Sequence, residues 1–204
     1  FLGFKQSGEW RTISWTETVR RVAALAKSLK AMGLVKGDRV MLVSENRPEW
    51  CIADLGIMAA GCITVPTYVT NTERDHQHIL DNSQSRAVIV STAKLAQSLM
   101  PAVVRSSECE FVIGMEPLRV TQKGQQSFHD WADLVQGNDA DVIALTADMA
   151  TVARDEVACI IYTSGTGGAP RGVMLHHGSI LCNASGAATI VKEDFGIDHE
   201  RFLS

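Results

Sequence analysis

The sequence has no Cys-x-x-Cys pair, no block of basic residues, no apolar run near the length of a membrane span and no internal repeat. Its five cysteines (Cys51, Cys62, Cys109, Cys159 and Cys182) are odd in number and widely spaced. Zinc sites and redox dithiols need closely paired thiols, so neither is expected. Runs such as Val157–Ile161 point instead to buried, reduced thiols in a cytoplasmic protein. The 19 basic residues are interspersed among 23 acidic ones, and the formal net charge is −4. With no basic stripe to neutralise a row of phosphates, nucleic acid is not an expected partner. Charges interrupt the apolar stretches well short of the roughly 20 residues a transmembrane helix needs. No basic-then-apolar leader is seen either. These criteria leave peripheral attachment to a membrane open.

What is present is ordinary globular composition, 46% hydrophobic and 21% charged over 204 residues. That is enough for one sizeable core, or one domain with part of a second. The chain starts at Phe1 without methionine and stops at Ser204 where an apolar run has just begun. The expectation is a truncated piece of a longer protein, exposing apolar surface through which it self-associates.

Hydrophobic spacing predicts alternating helices and strands. Val19, Val22, Ala23, Leu25, Ala26 and Leu29 keep to one face of a helix from Thr16 to Met32, with Ser14 or Thr16 as its cap and Gly33 as its left-handed end. Arg39–Val43 reads as a buried strand. A helix from Arg47-Pro48 closes at Gly61, and Cys62–Val65 is the next strand. Asn71 or Thr72 caps a third helix, with Thr72 and Asp75 at capping-box spacing. Ala87–Val90 is a strand, Ala93–Val104 a helix interrupted by Pro101, and Phe111–Ile113 a strand. Ser127 is read as the cap of a short helix containing Trp131. Residues 137–156 are polar, rich in aspartate and weakly periodic, and read as a connector. Val157–Tyr162 and Gly172–Leu175 are strands flanking a glycine-rich segment, and a last helix covers 178–191. Continuous apolar strands alternating with helices predict an α/β fold, a mostly parallel sheet with helices on both faces. The division is a subdomain of strand–helix units at 1–136, the connector at 137–156, and an incomplete strand–loop–strand–helix unit at 157–204.

The chemistry concentrates between Thr163 and Gly172, which hold three hydroxyls, four glycines and one cation in ten residues. Phosphate oxygens need several short donors converging on one place. Glycines let successive backbone N–H groups form a concave nest, Thr and Ser add hydroxyl donors, and Arg171 adds a charge that can pair with two oxygens. A Walker loop is excluded, because its Gly-Lys-Ser/Thr leads into a helix. The dinucleotide fingerprint is excluded as well, since the glycine due three residues after Gly167 is Pro170. A plain hairpin turn needs only about two to five residues and not this density of hydroxyls.

This segment, with Val173-Met-Leu-His-His177 after it, resembles the signature of the adenylate-forming (AMP-binding) superfamily. That group includes acyl-CoA synthetases, luciferases and peptide-synthetase adenylation domains. The family pattern runs Thr-Ser-Gly-Thr-Thr-Gly-x-Pro-Lys-Gly-Val; here Gly167 stands where a second Thr is commonest and Arg171 where Lys is. Ile13–Glu17, Asn46–Trp50 and Ala59–Pro66 resemble earlier landmarks of the family. Val65-Pro-Thr-Tyr-Val-Thr70 is closest to the long-chain fatty acyl-CoA synthetase branch. The resemblance implies a ligase that attacks the α-phosphate of Mg-ATP with a carboxylate, releases pyrophosphate, and passes the acyl group from AMP to coenzyme A. It implies that Thr163, Ser164, Thr166 and Arg171 hold the β- and γ-phosphates, with Gly165, Gly167 and Gly168 supplying backbone donors. Residues for adenine, Mg²⁺, the acyl chain and the catalytic lysine lie after this loop in the family. The 204-residue chain is therefore expected to be inactive alone. An adenylate-forming enzyme for an aryl or amino acid, and a non-catalytic nucleotide-binding module, are the alternatives.

Other polar residues read as structural. His76 and His78 lie about 200° apart on a helix, which disfavours a shared ligand and favours a solvated face. His176 and His177 are adjacent in a strand and point to opposite faces, and His177 matches a family histidine with an expected structural role. Glu17, Asp54, Glu73 and Asp75 read as caps, dipole partners or solvated groups. Core or edge packing is expected of Trp10, Trp15, Trp50 and Trp131.

Overall fold

The computed structural model describes residues 1–118, 124–163 and 169–196. It opens with a hairpin of β1 (Leu2–Gln6) and β2 (Glu9–Ile13), which the sequence reading had not foreseen. Ser7 and Gly8 turn it with φ of 52° and 84°. A two-residue connection with both φ positive matches the right-handed twist of paired strands. The chain continues through α1 (Trp15–Ala31), β3 (Arg39–Val43), α2 (Pro48–Ala59), β4 (Ile63–Thr67), α3 (Glu73–Ser83), β5 (Ser85–Val90), α4 (Ala93–Arg105) and β6 (Phe111–Gly114). It then forms β7 (Ser127–Asp130), α5 (Trp131–Leu134), α6 (Asp139–Met149), β8 (Val157–Thr163), β9 (Arg171–His176) and α7 (His177–Phe195).

Strands β3 to β9 make one sheet in the order β7-β6-β5-β3-β4-β8-β9, parallel throughout except for the final β8–β9 pair. Alternation along β3 explains its unbroken apolar sequence. Val40 and Leu42 pack with α1, α2 and Trp131 on one face, while Met41 and Val43 pack with α3 and α4 on the other. All four are fully buried. The connection from β3 to β4 runs one way along the sheet, and those from β4 to β5 and β5 to β6 run the other. Right-handed crossovers therefore put α2 on the first face and α3 and α4 on the second. At the carboxyl ends of β3 and β5, where the direction reverses, Ser91 Oγ donates to Glu45 Oε2 at 2.5 Å.

Local signals behave as expected at several ends. Thr72 accepts from the Asp75 backbone N–H at 3.4 Å and the Asp75 carboxylate accepts from the Thr72 N–H at 2.9 Å, a complete capping box. Gly33 follows α1 with φ of 92°. Two expectations are corrected. Pro101 does not break α4, because Leu99, Met100, Ala102 and Val103 around it are all buried against the sheet. Ser127 is no helix cap but opens the edge strand β7, in register with Phe111; the following short helix is capped at Asp130 without a side-chain bond. The segment read as a connector contains α6, whose aspartates pair with the basic side of α1: Arg20–Asp139 at 2.8 Å, Lys27–Asp141 at 2.8 Å and Lys30–Asp148 at 2.5 Å. Exposed pairs of this kind are each worth about 0–1 kcal/mol, so Leu145, packed on the core, matters as much.

Cys62, Cys109 and Cys159 are buried, Cys51 is half-buried and Cys182 is exposed on α7, and all five are free thiols. Burial pushes Cys62 up to about 11 and Cys109 up to about 12. Among the tryptophans Trp131 is buried, whereas Trp10 and Trp15 are 62% exposed, against the expectation that all four pack. Trp15 stacks on Phe1 and Trp10 carries Lys5 over its ring. Among the described residues no helix is long and apolar enough to cross a membrane.

Candidate nucleotide phosphate site

The glycine-rich segment joins two antiparallel strands, as its flanking apolar runs required. β8 lies beside β4 through the Thr64–Cys159 pair, and β9 adds to it as the sheet's edge. The register sets Thr163 opposite Arg171 and Tyr162 opposite Gly172. The residue that ends β8 and the residue that opens β9 are thereby paired across the hairpin. Both residues are exposed, and among the described residues Arg171 has no carboxylate partner. Ser164, Gly165, Thr166, Gly167 and Gly168 lie outside the described residues.

Gly172 is the residue that this register demands. A β-carbon there would stand 2.8 Å from Ile160 Cγ2 and 3.0 Å from Tyr162 Cζ, so the Tyr162 ring lies across the glycine. The ring is held at its far end. Tyr162 Oη donates to Asn82 Oδ1 on α3 at 2.6 Å. Tyr162 is buried, and burial raises its phenol above the ordinary value. His78, one turn before Asn82, sets its Nε2 2.7 Å from the carbonyl oxygen of Pro170 and its ring edge-on to Tyr162 at 6.2 Å. The acceptor is a carbonyl, so Nε2 carries the proton in that contact.

The sequence reading missed these α3 residues. His78 is half-buried against the hairpin, and His76 is fully buried with Nδ1 unpartnered among the described residues, so the solvated face expected for the pair is overturned. Burial lowers His76 below the ordinary imidazole value. The helical separation of the two rings was right, but both sides of α3 are covered, one by the sheet and the other in part by the β8–β9 hairpin. The signal was available in the four-residue step from His78 to Asn82, which puts two polar side chains on one face.

His177 begins α7, and its backbone N–H donates to Glu156 O at 3.0 Å. Asp54 lies mid-helix in α2, and burial raises its carboxyl, so neither capping nor full solvation describes it. Glu17 pairs with Arg21 at 2.6 Å and Glu73 with Arg105 at 2.7 Å, in keeping with surface roles. A cleft of about 460 Å³ opens beside the hairpin at the carboxyl ends of β3, β4 and β8, lined by Glu45, Trp50, Tyr68 and Tyr162 among others. Beyond it, Val173, Met174, Ile180, Leu181 and Ile190 of β9 and α7 are each more than a third exposed.

The donors at the two ends, a hydroxyl and a fixed cation, suit phosphate oxygens. They include no carboxylate, the group a hard cation such as Mg²⁺ prefers. Comparison with known proteins identifies the family. A long-chain-fatty-acid–CoA ligase of Mycobacterium tuberculosis is 31% identical over 180 residues, which is 88% of this chain and 29% of that protein. A Drosophila melanogaster ligase of the same description is 26% identical over 96% of this chain and 29% of its own. This chain thus spans under a third of the curated relatives it matches. In three dimensions it resembles a benzoate CoA ligase from Burkholderia xenovorans, with a TM-score of 0.67, 23% identity, 91% of this chain and 33% of that one. It also resembles a fatty acyl-adenylate ligase from L. pneumophila, with a TM-score of 0.64, 21% identity, 97% of this chain and 30% of that one. The description "AMP-binding enzyme" matches residues 2–204, so the chain belongs to the AMP-binding, adenylate-forming enzyme family.

Proposed function

We propose that this chain supplies the ATP phosphate-gripping loop of a fatty acid–CoA ligase that makes acyl-adenylate and then acyl-CoA. The observation that carries this reading is the register of β8 and β9, which sets Thr163 beside Arg171 at the mouth of the glycine-rich segment. Thr163, Ser164, Thr166 and Arg171 would hold the β- and γ-phosphates, with the backbone of Gly165, Gly167 and Gly168 donating. As the carboxylate attacks the α-phosphate, charge builds on the departing pyrophosphate, and donors already aimed at its oxygens stabilise it without reorganising. Mg²⁺ bound with ATP would neutralise part of that charge; its ligands would come from beyond residue 204. The fatty-acid assignment is supported by the names of the curated relatives, and coenzyme A would be the acyl acceptor.

The test is ATP–pyrophosphate exchange by the complete enzyme. Arg171→Leu should lower kcat/KM for ATP by about 10- to 100-fold, the range for losing a charge-assisted contact. An unchanged value would remove phosphate binding from Arg171. Exchange driven by benzoate or an amino acid, and not by a long-chain acid, would reassign the substrate. The 204-residue chain alone should give no fatty-acid-dependent exchange. It should also self-associate through the apolar residues of β9 and α7; strictly monomeric light scattering at high concentration would count against that.

A further inference from the structure

We propose that His78 is a positioning residue for the phosphate site, holding the closing end of the glycine-rich segment so that Arg171 faces the same point as Thr163. The proposal rests on the phosphate-binding reading above. The connection between β8 and β9 is longer than the about two to five residues of an ordinary hairpin loop, so turn geometry alone does not fix its ends. Among the described residues β9 lies at the edge of the sheet and is paired only with β8. Support must come from a face, and α3 provides it.

His78 and Asn82 are four residues apart and share one side of α3. Asn82 takes the Tyr162 hydroxyl at 2.6 Å, immediately before Thr163. His78 Nε2 reaches the Pro170 carbonyl at 2.7 Å, immediately before Arg171. The two contacts therefore grip both ends of the segment from one rigid helix, across 80 and 92 residues of sequence. Helix α3 is itself fixed by its capping box and by Ile79 and Leu80, which are buried in the core between α3, α4 and the sheet. Pro170 has no N–H and a restricted φ, so anchoring its carbonyl defines the direction in which the chain enters Arg171.

A brace of this kind makes a specific pattern in kinetics. In the complete enzyme, His78→Leu removes the donor at similar bulk and should raise KM for ATP about three- to tenfold, the equivalent of one net hydrogen bond. The KM values for acid and coenzyme A should stay within about twofold. His78→Gln keeps an N–H donor and should recover most of the loss. Arg171→Leu serves as the reference. If Arg171→Leu weakens ATP use but His78→Leu does not, the brace is refuted while the phosphate reading stands. If His78→Leu and His78→Gln are equally impaired, or all three KM values rise together with a lower Tm, His78 is only structural and the proposal fails. If Arg171→Leu itself leaves kcat/KM for ATP unchanged, the phosphate reading fails and the brace with it.

Discussion

Replacing Gly172 by alanine measures how firmly the Tyr162 ring holds the hairpin. Inside a strand, alanine is ordinarily favoured over glycine by about 0.5–1 kcal/mol, because glycine loses more backbone freedom on folding. Here the added methyl would meet Ile160 Cγ2 at 2.8 Å, Tyr162 Cζ at 3.0 Å and Tyr162 Oη at 3.2 Å. Carbon atoms rest comfortably at about 3.5–4.0 Å, so several tenths of an ångström must be found, an overpacking strain of about 1–3 kcal/mol. Ile160 Cγ2 is one bond from its β-carbon and yields little. The ring yields only by leaving Asn82, at about 1 kcal/mol for the hydrogen bond. Strain wins over propensity, and the net destabilisation is about 1–3 kcal/mol. Tyr162→Phe alone should cost about 0.5–1 kcal/mol, since the exposed Asn82 can turn to water. In that background the Oη contact and the bond to Asn82 are already gone, so Gly172→Ala should cost about 1 kcal/mol less than in the wild type. Urea unfolding followed by tryptophan fluorescence measures all four corners of the cycle. Stabilisation by Gly172→Ala, or additivity within about 0.3 kcal/mol, would refute the reasoning.

Stability should also respond to pH through His76, whose folded value is lowered by burial. Between that value and the ordinary one near 6.5 the unfolded chain binds the proton and the folded one does not, so stability falls as pH drops through the window, by at most about 1.4 kcal/mol per unit. His76→Leu should flatten that part of the profile in urea titrations; an unchanged slope would remove His76 as its source. Thr72→Ala should cost about 1 kcal/mol by opening the capping box, read from the urea midpoint, and a neutral result would mean that tertiary contacts alone hold the start of α3. With a thiol reagent at pH 8, Cys182 should react first, while Cys62 and Cys109, raised to about 11 and about 12, should react only after unfolding. Early modification of Cys109, located by peptide mapping, would contradict its burial.

Features written within a few residues of each other were legible in the chain itself. The run Arg39–Val43 became the central strand because unbroken apolar residues can only be satisfied where both faces of a sheet are covered. Thr72 and Asp75 became a capping box because the reciprocal bonds close within one turn. The strand-to-strand placement of the glycine-rich segment followed from apolar residues on both sides of it. The Ser7-Gly8 pair was an unread hairpin signal of the same local kind. Tertiary structure decided the rest. The aspartates of α6 look solvated in sequence and become structural only against the basic side of α1. His76 and His78 sit on a helix with a polar sequence, and their burial depends on a sheet and a hairpin that arrive from elsewhere. The opposition of Thr163 and Arg171 needed the β8–β9 register, and the contacts from Asn82 to Tyr162 and from His78 to Pro170 span 80 and 92 residues. Hydrogen bonding and periodicity act locally and leave their mark in local sequence; which distant groups meet is set by the order of strands and the hand of their crossovers, and appears only when the chain is folded.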